Sequence, residues 1–211
     1  MTVILGTAFE ALPGHAAAFA ELFTKGTGIA ERLGTKVHRL QGYIGAPPTL
    51  LSAVLEFDNY TALAEYTTTR DEDPEWQEFT RLAMATAAAR QVASFDAVEV
   101  AGLENSEKLK SGAIHVTTLD PIPVKLPTLI SQLHDIKELQ EKEGARIHVR
   151  RQTTGELNGK ISYACEFDNV VELGKFADKL ERNMPYQDLM AKISADQASV
   201  VLRSAAYKSI A

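Results

Sequence analysis

One cysteine, Cys165, is all the thiol chemistry this 211-residue chain holds. No disulfide can form within it, and a reducing compartment suits it. No apolar run approaches the roughly 20 residues needed to cross a bilayer. The opening Met1-Thr2-Val3-Ile4-Leu5 shows neither a basic leader nor a signal-peptide plan. These absences lead us to expect a cytoplasmic protein without a membrane partner. Basic charge is also scarce. A net charge of −6, a pI near 5.4 and no Lys/Arg stripe leave no face to replace phosphate counterions, so nucleic acid is not expected as a partner. Phosphate loop, dinucleotide fingerprint and serine elbow are missing as well. His15, His115 and His134 are scattered, and no pair has helical metal-ligand spacing with a supporting acid. What remains is an ordinary globular composition, 45 % hydrophobic and 24 % charged, sufficient for one large domain or two of about 100 residues.

The strongest positive signal is internal. Glu56-Phe57-Asp58-Asn59 returns letter for letter as Glu166-Phe167-Asp168-Asn169, 110 residues later. At that offset the halves align without a gap: Pro13 falls on Pro123, Gly34 on Gly144, His38 on His148, Leu63 on Leu173, Gln77 on Gln187 and Ser94 on Ser204. Positions 1–101 and 111–211 share 18 identities. This reads as a duplication, with repeats at 1–101 and 113–211 and a polar linker at 102–112.

Each repeat has one order of elements. Residues 2–9 are short, apolar and partly β-branched, a buried strand. Pro13-Gly14 opens a helix whose apolar positions recur every three or four residues, and Gly34 stops it. Strands follow at 35–44 and 49–57. Asp58 is placed to cap the next helix, Asp73-Pro74-Glu75-Trp76 starts another, and the alanine-rich run is helical to Arg90. Residues 91–100 form the last strand. The second half repeats this with strands at 113–119, 145–154, 160–167 and 199–208 and helices at 124–143, 169–182 and 185–197. The result is α+β: two β-α-β-β-α-β, ferredoxin-like units.

The duplicated Glu-Phe-Asp-Asn at a strand end, the helix after it and Asp73-Pro74-Glu75-Trp76 ahead of the last helix resemble the dimeric α+β barrel superfamily. That group includes antibiotic biosynthesis monooxygenases, NIPSNAP-like and EthD-like proteins. The resemblance covers the whole chain as two tandem copies. It implies that the two antiparallel sheets face each other in an intramolecular barrel with a small cavity. The helices cover one face of each sheet, and the second apolar face, carrying Leu51, Leu55, Phe57, Ile161, Tyr163 and Phe167, requires a cover such as the other half.

Candidate chemistry follows from strand register. Asn158-Gly159 reads as a two-residue hairpin turn pairing Leu157 with Lys160. Counting back sets Arg151 opposite Glu166 and, through the repeat, Gln41 opposite Glu56. These are cross-strand pairs or catalytic carboxylates. His38 and His148 then share the other face with Leu55 and Phe57, or with Tyr163, Cys165 and Phe167, beside Arg150. A few polar groups among apolar walls describe a small-molecule site. In it His38 and His148 are candidate catalytic bases, with Arg150, Tyr163, Phe57 and Phe167 as substrate-binding walls. An imidazole there can act as a base or ligate haem or a metal, although the sequence requires no cofactor. The competing reading is a pair of structural histidines near strand ends. Trp76 and Tyr186 read as anchors of the short helices, and Cys165 as an inert buried thiol.

Two functions follow from these expectations. One is a small-molecule-binding barrel of monooxygenase, cyclase or isomerase type, cofactor-independent or haem-dependent, acting on a hydrophobic or aromatic compound. The other is a non-enzymatic, stress-related or scaffold barrel with a packed interior. Either form can still associate as a homodimer.

Overall fold

The computed structural model describes residues 2–105, 107–110 and 112–210. Residues 1, 106, 111 and 211, which belong to the expected repeats and linker, lie outside the described ones. The first half runs β1 (Val3–Ala11), α1 (Ala16–Arg32), β2 (Val37–Ile44), β3 (Leu50–Phe57), α2 (Tyr60–Glu72), α3 (Pro74–Thr86) and β4 (Ala89–Glu99). The second runs β5 (Ala113–Pro121), a 3₁₀ turn (Pro123–Lys125), α4 (Leu126–Lys142), β6 (Arg146–Gln152), β7 (Ile161–Phe167), α5 (Val170–Arg182), α6 (Met184–Ala195) and β8 (Ser199–Ser209).

All eight strands close one antiparallel barrel in the order β1-β3-β2-β8-β5-β7-β6-β4, with β4 returning to β1. Each half contributes the ferredoxin-like order 4-1-3-2. The seams are β2 with β8, and β4 with β6, where Ala97 faces Gln152 and Glu99 faces Arg150.

Local chemistry explains the helices. α1 buries Phe19, Phe23, Thr27 and Ala30 at four- and three-residue intervals. It ends at Gly34, whose φ of +91° suits a residue without a Cβ. Asn59 and Asn169, rather than the expected Asp58 and Asp168, cap α2 and α5. The Asn59 side chain accepts from Ala62 N, and that of Asn169 from Val171 N and Glu172 N. The aspartates stand one residue too early and point to solvent, pairing with Lys108 (3.1 Å) and Arg146 (2.8 Å). The alanine run also stops early. Ala87 turns left-handed at φ 45°, Ala88 is buried with its carbonyl accepting from Leu12 N, and Arg90 lies in β4.

The helix-facing cores are Val3, Phe19, Phe23, Leu51, Leu55, Phe57 and Tyr66 in one half, and Leu129, Leu133, Ile147, Tyr163, Phe167 and Phe176 in the other. The side chains expected to form the second apolar face therefore lie under the helices. The barrel interior is instead filled by Leu40, Val54, Ile114, Val116, Ala164 and Tyr207. The Phe95 ring packs where Gly6 has no Cβ; one there would lie 2.4 Å from it.

The segment 102–112 is no free tether. Leu103 and Leu109 are buried, Val100 N donates to Val149 O and Asn105 Nδ2 to Ile147 O along the β6 edge. No described helix is long and apolar enough to cross a membrane.

Candidate functional site

The expected register is shifted. Arg146, not Arg151, faces Glu166, a slip of five positions; likewise Gln41 faces Leu51. An odd slip moves every side chain to the opposite face. Its cause is tertiary. After Gln152 the chain leaves β7 for β4: Thr153 N donates to Asp96 O, and Asp96 N to Thr154 Oγ1. Residues 153–160 then form a long loop, closed where Gln152 N donates to Lys160 O. Asn158-Gly159 do form a turn, with Lys160 N donating to Leu157 O at 3.0 Å, but it lies inside this loop and does not join β6 to β7 as a two-residue hairpin.

The expected site is thereby divided. His38, His148 and Arg150 point into the barrel, while Phe57, Tyr163, Phe167 and Cys165 pack beneath the helices. Tyr163 and Cys165 there both donate to Gln140 Oε1, at 2.9 and 3.3 Å. Burial raises the Tyr163 hydroxyl pKa and pushes that of the Cys165 thiol up to about 12, so neither is an activated nucleophile.

Inside the barrel the histidines meet the duplicated glutamates. His148 Nε2 is 3.3 Å from Glu166 Oε2, and His38 Nε2 is 3.6 Å from Glu56 Oε2. Arg150 crosses from the second half to Glu56 Oε1 at 3.1 Å, and Arg146 Nε donates to Glu166 at 3.2 Å. Two backbone N–H groups complete the set: Leu109 N donates to Glu56 at 3.2 Å, and Lys110 N to Glu166. Burial alone would raise the Glu56 pKa; the neighbouring His38 ring, the Arg150 charge and the Leu109 N–H outweigh it and hold the carboxyl below its ordinary range. At 3.6 Å the His38 ring lies beyond ordinary hydrogen-bond distance of the carboxylate, and both its nitrogens lack a described hydrogen-bond partner. Two guanidiniums thus face two carboxylates, a balanced ionic core joining the halves.

The space found beside this core is too small for a substrate. The space beside His38, Leu109 and Glu166 is about 10 Å³, of the order of one water. Haem does not fit there. Nor do three or more His, Cys, Asp or Glu side chains gather as a metal site among the described residues.

The large cavity lies elsewhere. Between the first half's sheet and α1–α3 is a hollow of about 660 Å³, walled by Phe9, Phe19, Phe23, Tyr66, Trp76 and Phe79. Its polar groups are few: Thr7, Thr27, Thr80, Gln91 and Arg70. The Arg70 guanidinium lies 5.1 Å from the centre of the Trp76 ring and 5.9 Å from that of Tyr66, and donates to Asp71 at 2.8 Å. No histidine, cysteine or carboxylate lines the walls, so a histidine-ligated haem has no ligand here either.

Comparison of the halves explains the hollow. Ala53, Ala30, Gly26 and Ala83 on the cavity wall correspond at the 110-residue offset to Tyr163, Gln140, Ile136 and Ile193. In the second half Tyr163 and Gln140 are buried and bonded to each other. These positions are silent in the sequence because small residues carry no motif. Their signal was the size difference between aligned halves.

No family model matches the chain, and no curated protein does. Solved structures do match at low identity. A candidate monooxygenase from Fusobacterium nucleatum superposes with a TM-score of 0.62 at 10 % identity, over 99 % of this chain and 91 % of that one. An anthrone oxidase-like protein gives 0.61 at 10 %, over 100 % and 91 %. A heme-binding protein from Thermus thermophilus gives 0.55 at 10 %, over 100 % and 91 %. At such identity the likeness concerns the path of the chain alone, and with the closed eight-stranded sheet it shows the fold: an α+β barrel of two ferredoxin-like halves, completed within one polypeptide.

Proposed function

We propose that the protein binds a hydrophobic, largely aromatic small molecule in the cavity beneath α1–α3 of its first half, in a reducing, cytoplasmic setting. The observation that carries this reading is the asymmetry of the halves: one helix–sheet interface is filled by Tyr163 and Gln140, while its counterpart is hollow at Ala53 and Ala30. Interiors pack at crystal-like density, so a hollow of this size with a few polar groups is the form of a ligand site. The aromatic walls suit a flat apolar body, and Arg70 offers positive charge to an electron-rich substituent.

In this reading His38 and His148 belong to the ionic core rather than to catalysis. Monooxygenase-type chemistry is supported only by likeness of fold to proteins so described. With no histidine or carboxylate in the wall, such chemistry would draw its acid–base step from the bound compound. The same absence favours, as a second reading, a binding protein without catalysis.

Trp76, the single tryptophan, lies on the cavity wall and reports occupancy directly. Titration with 1-anilinonaphthalene-8-sulfonate is expected to quench Trp76 by energy transfer and saturate at one probe per chain. An unchanged Trp76 emission, or unsaturable weak binding, would contradict the assignment. Native mass spectrometry of freshly purified protein then identifies any retained compound.

A further inference from the structure

The two halves also differ at their protruding strands. β8 pairs with β2 only from Ala206 onward, so among the described residues Ser199–Arg203 has β5 on one side and no strand on the other. β4 is equally open before Asp96. Open edges present unpaired N–H and C=O groups and are normally blunted with charge. The β4 edge follows that rule with Arg90 and Gln91, the former bound to Glu10 at 2.6 Å. At the equivalent β8 positions stand Val200 and Val201, followed by Leu202, at 50, 58 and 46 % exposure. Tyr43 and Ile44, at 47 and 61 %, extend the strip from the end of β2, where Ile44 faces Ala206. The counterparts of Tyr43 and Ile44 are Thr153 and Thr154, so one end of the pseudo-symmetric barrel is polar and the other apolar.

We propose that the β8 edge pairs with the same edge of a second copy of this chain, antiparallel across a twofold axis. Self-complementarity singles out this occupant. β8 bulges at Leu202, since Arg203 faces Thr118 and Val201 faces Leu119; a pair centred on Val201 sets the two valines against each other on the axis, with Val200 and Leu202 of each copy flanking them. The strip Ser199–Arg203 contains no carboxylate. Two copies of this acidic chain therefore meet where neither presents negative charge. Pairing extends the barrel wall into a continuous sheet through both molecules and removes the free edge.

The test is sedimentation of the full chain across micromolar concentrations. The wild type is expected to reach a dimer. Val201→Lys, which opposes two ammonium groups at the axis, is expected to weaken dimerisation by about tenfold or more with an unchanged circular-dichroism melt. Val92→Lys on the open β4 edge of the other half is expected to leave it unchanged. As a second measurement, Val201→Cys is expected to form an intermolecular disulfide under mild oxidation, since Cys165 is buried. A monomer at every concentration overturns the proposal and leaves the strip to some other partner. A dimer that is insensitive to Val201→Lys and gives no cross-link with Val201→Cys also overturns it, placing the interface on another face.

Discussion

Importing the second half's filling into the first tests the cavity most directly. The double substitution Ala30→Gln and Ala53→Tyr recreates, at repeat-equivalent positions, the bonded pair of Gln140 and Tyr163 (2.9 Å). Burying the aromatic ring is worth about 1.5–3 kcal/mol, and the hydroxyl–amide bond about 1 kcal/mol. Ordering two side chains costs roughly 2 kcal/mol. The ligand-free variant should therefore gain about 0.5–2 kcal/mol, near 1–8 °C in melting temperature for a chain of this length. Probe binding at Trp76 should weaken at least about tenfold, since ring and amide would grow from Ala53 and Ala30, two residues of the cavity wall. Calorimetry with the Trp76 titration reads both quantities. A stably folded variant that binds the probe with wild-type affinity would refute the reasoning.

Further outcomes concern the ionic core and the joints. Glu56, whose carboxyl is held below its ordinary range, contributes stability that is complete above the unfolded value near 4.3 and is lost as pH falls through the lowered folded value. Glu56→Gln leaves buried Arg150 without its closest counter-charge and should cost about 3–5 kcal/mol at neutral pH. Urea unfolding at pH 7 and near pH 3 should show the gap to wild type narrowing in acid, and a constant gap would deny the carboxylate this role. Asn59→Ala should cost about 1 kcal/mol through loss of the α2 cap, whereas Asp58→Ala, removing an exposed pair with Lys108, should cost under about 0.5 kcal/mol. A thiolate-directed reagent should leave Cys165 unmodified in the native protein and label one thiol per chain after denaturation, in line with its burial and raised pKa.

The element order, the repeat and the single thiol were legible in the residues because they depend on local period and counting. Helix stops at Gly34 and Gly144, the helix start at Pro74, and the alternating strands need only their neighbours to be recognised. Register was not legible. Asn158-Gly159 carries a strong hairpin signal, but barrel closure draws the end of β6 onto β4, and the resulting shift of five positions reverses both faces. His38 and His148 thereby moved from an expected aromatic wall to Glu56 and Glu166. Tyr163, Phe57 and Phe167 moved beneath the helices. The cavity was half legible: the chain alone contrasts Ala53 with Tyr163 and Ala30 with Gln140. Only the fold decides that these positions meet across a sheet and a helix, where missing side-chain volume becomes a hollow instead of exposed surface.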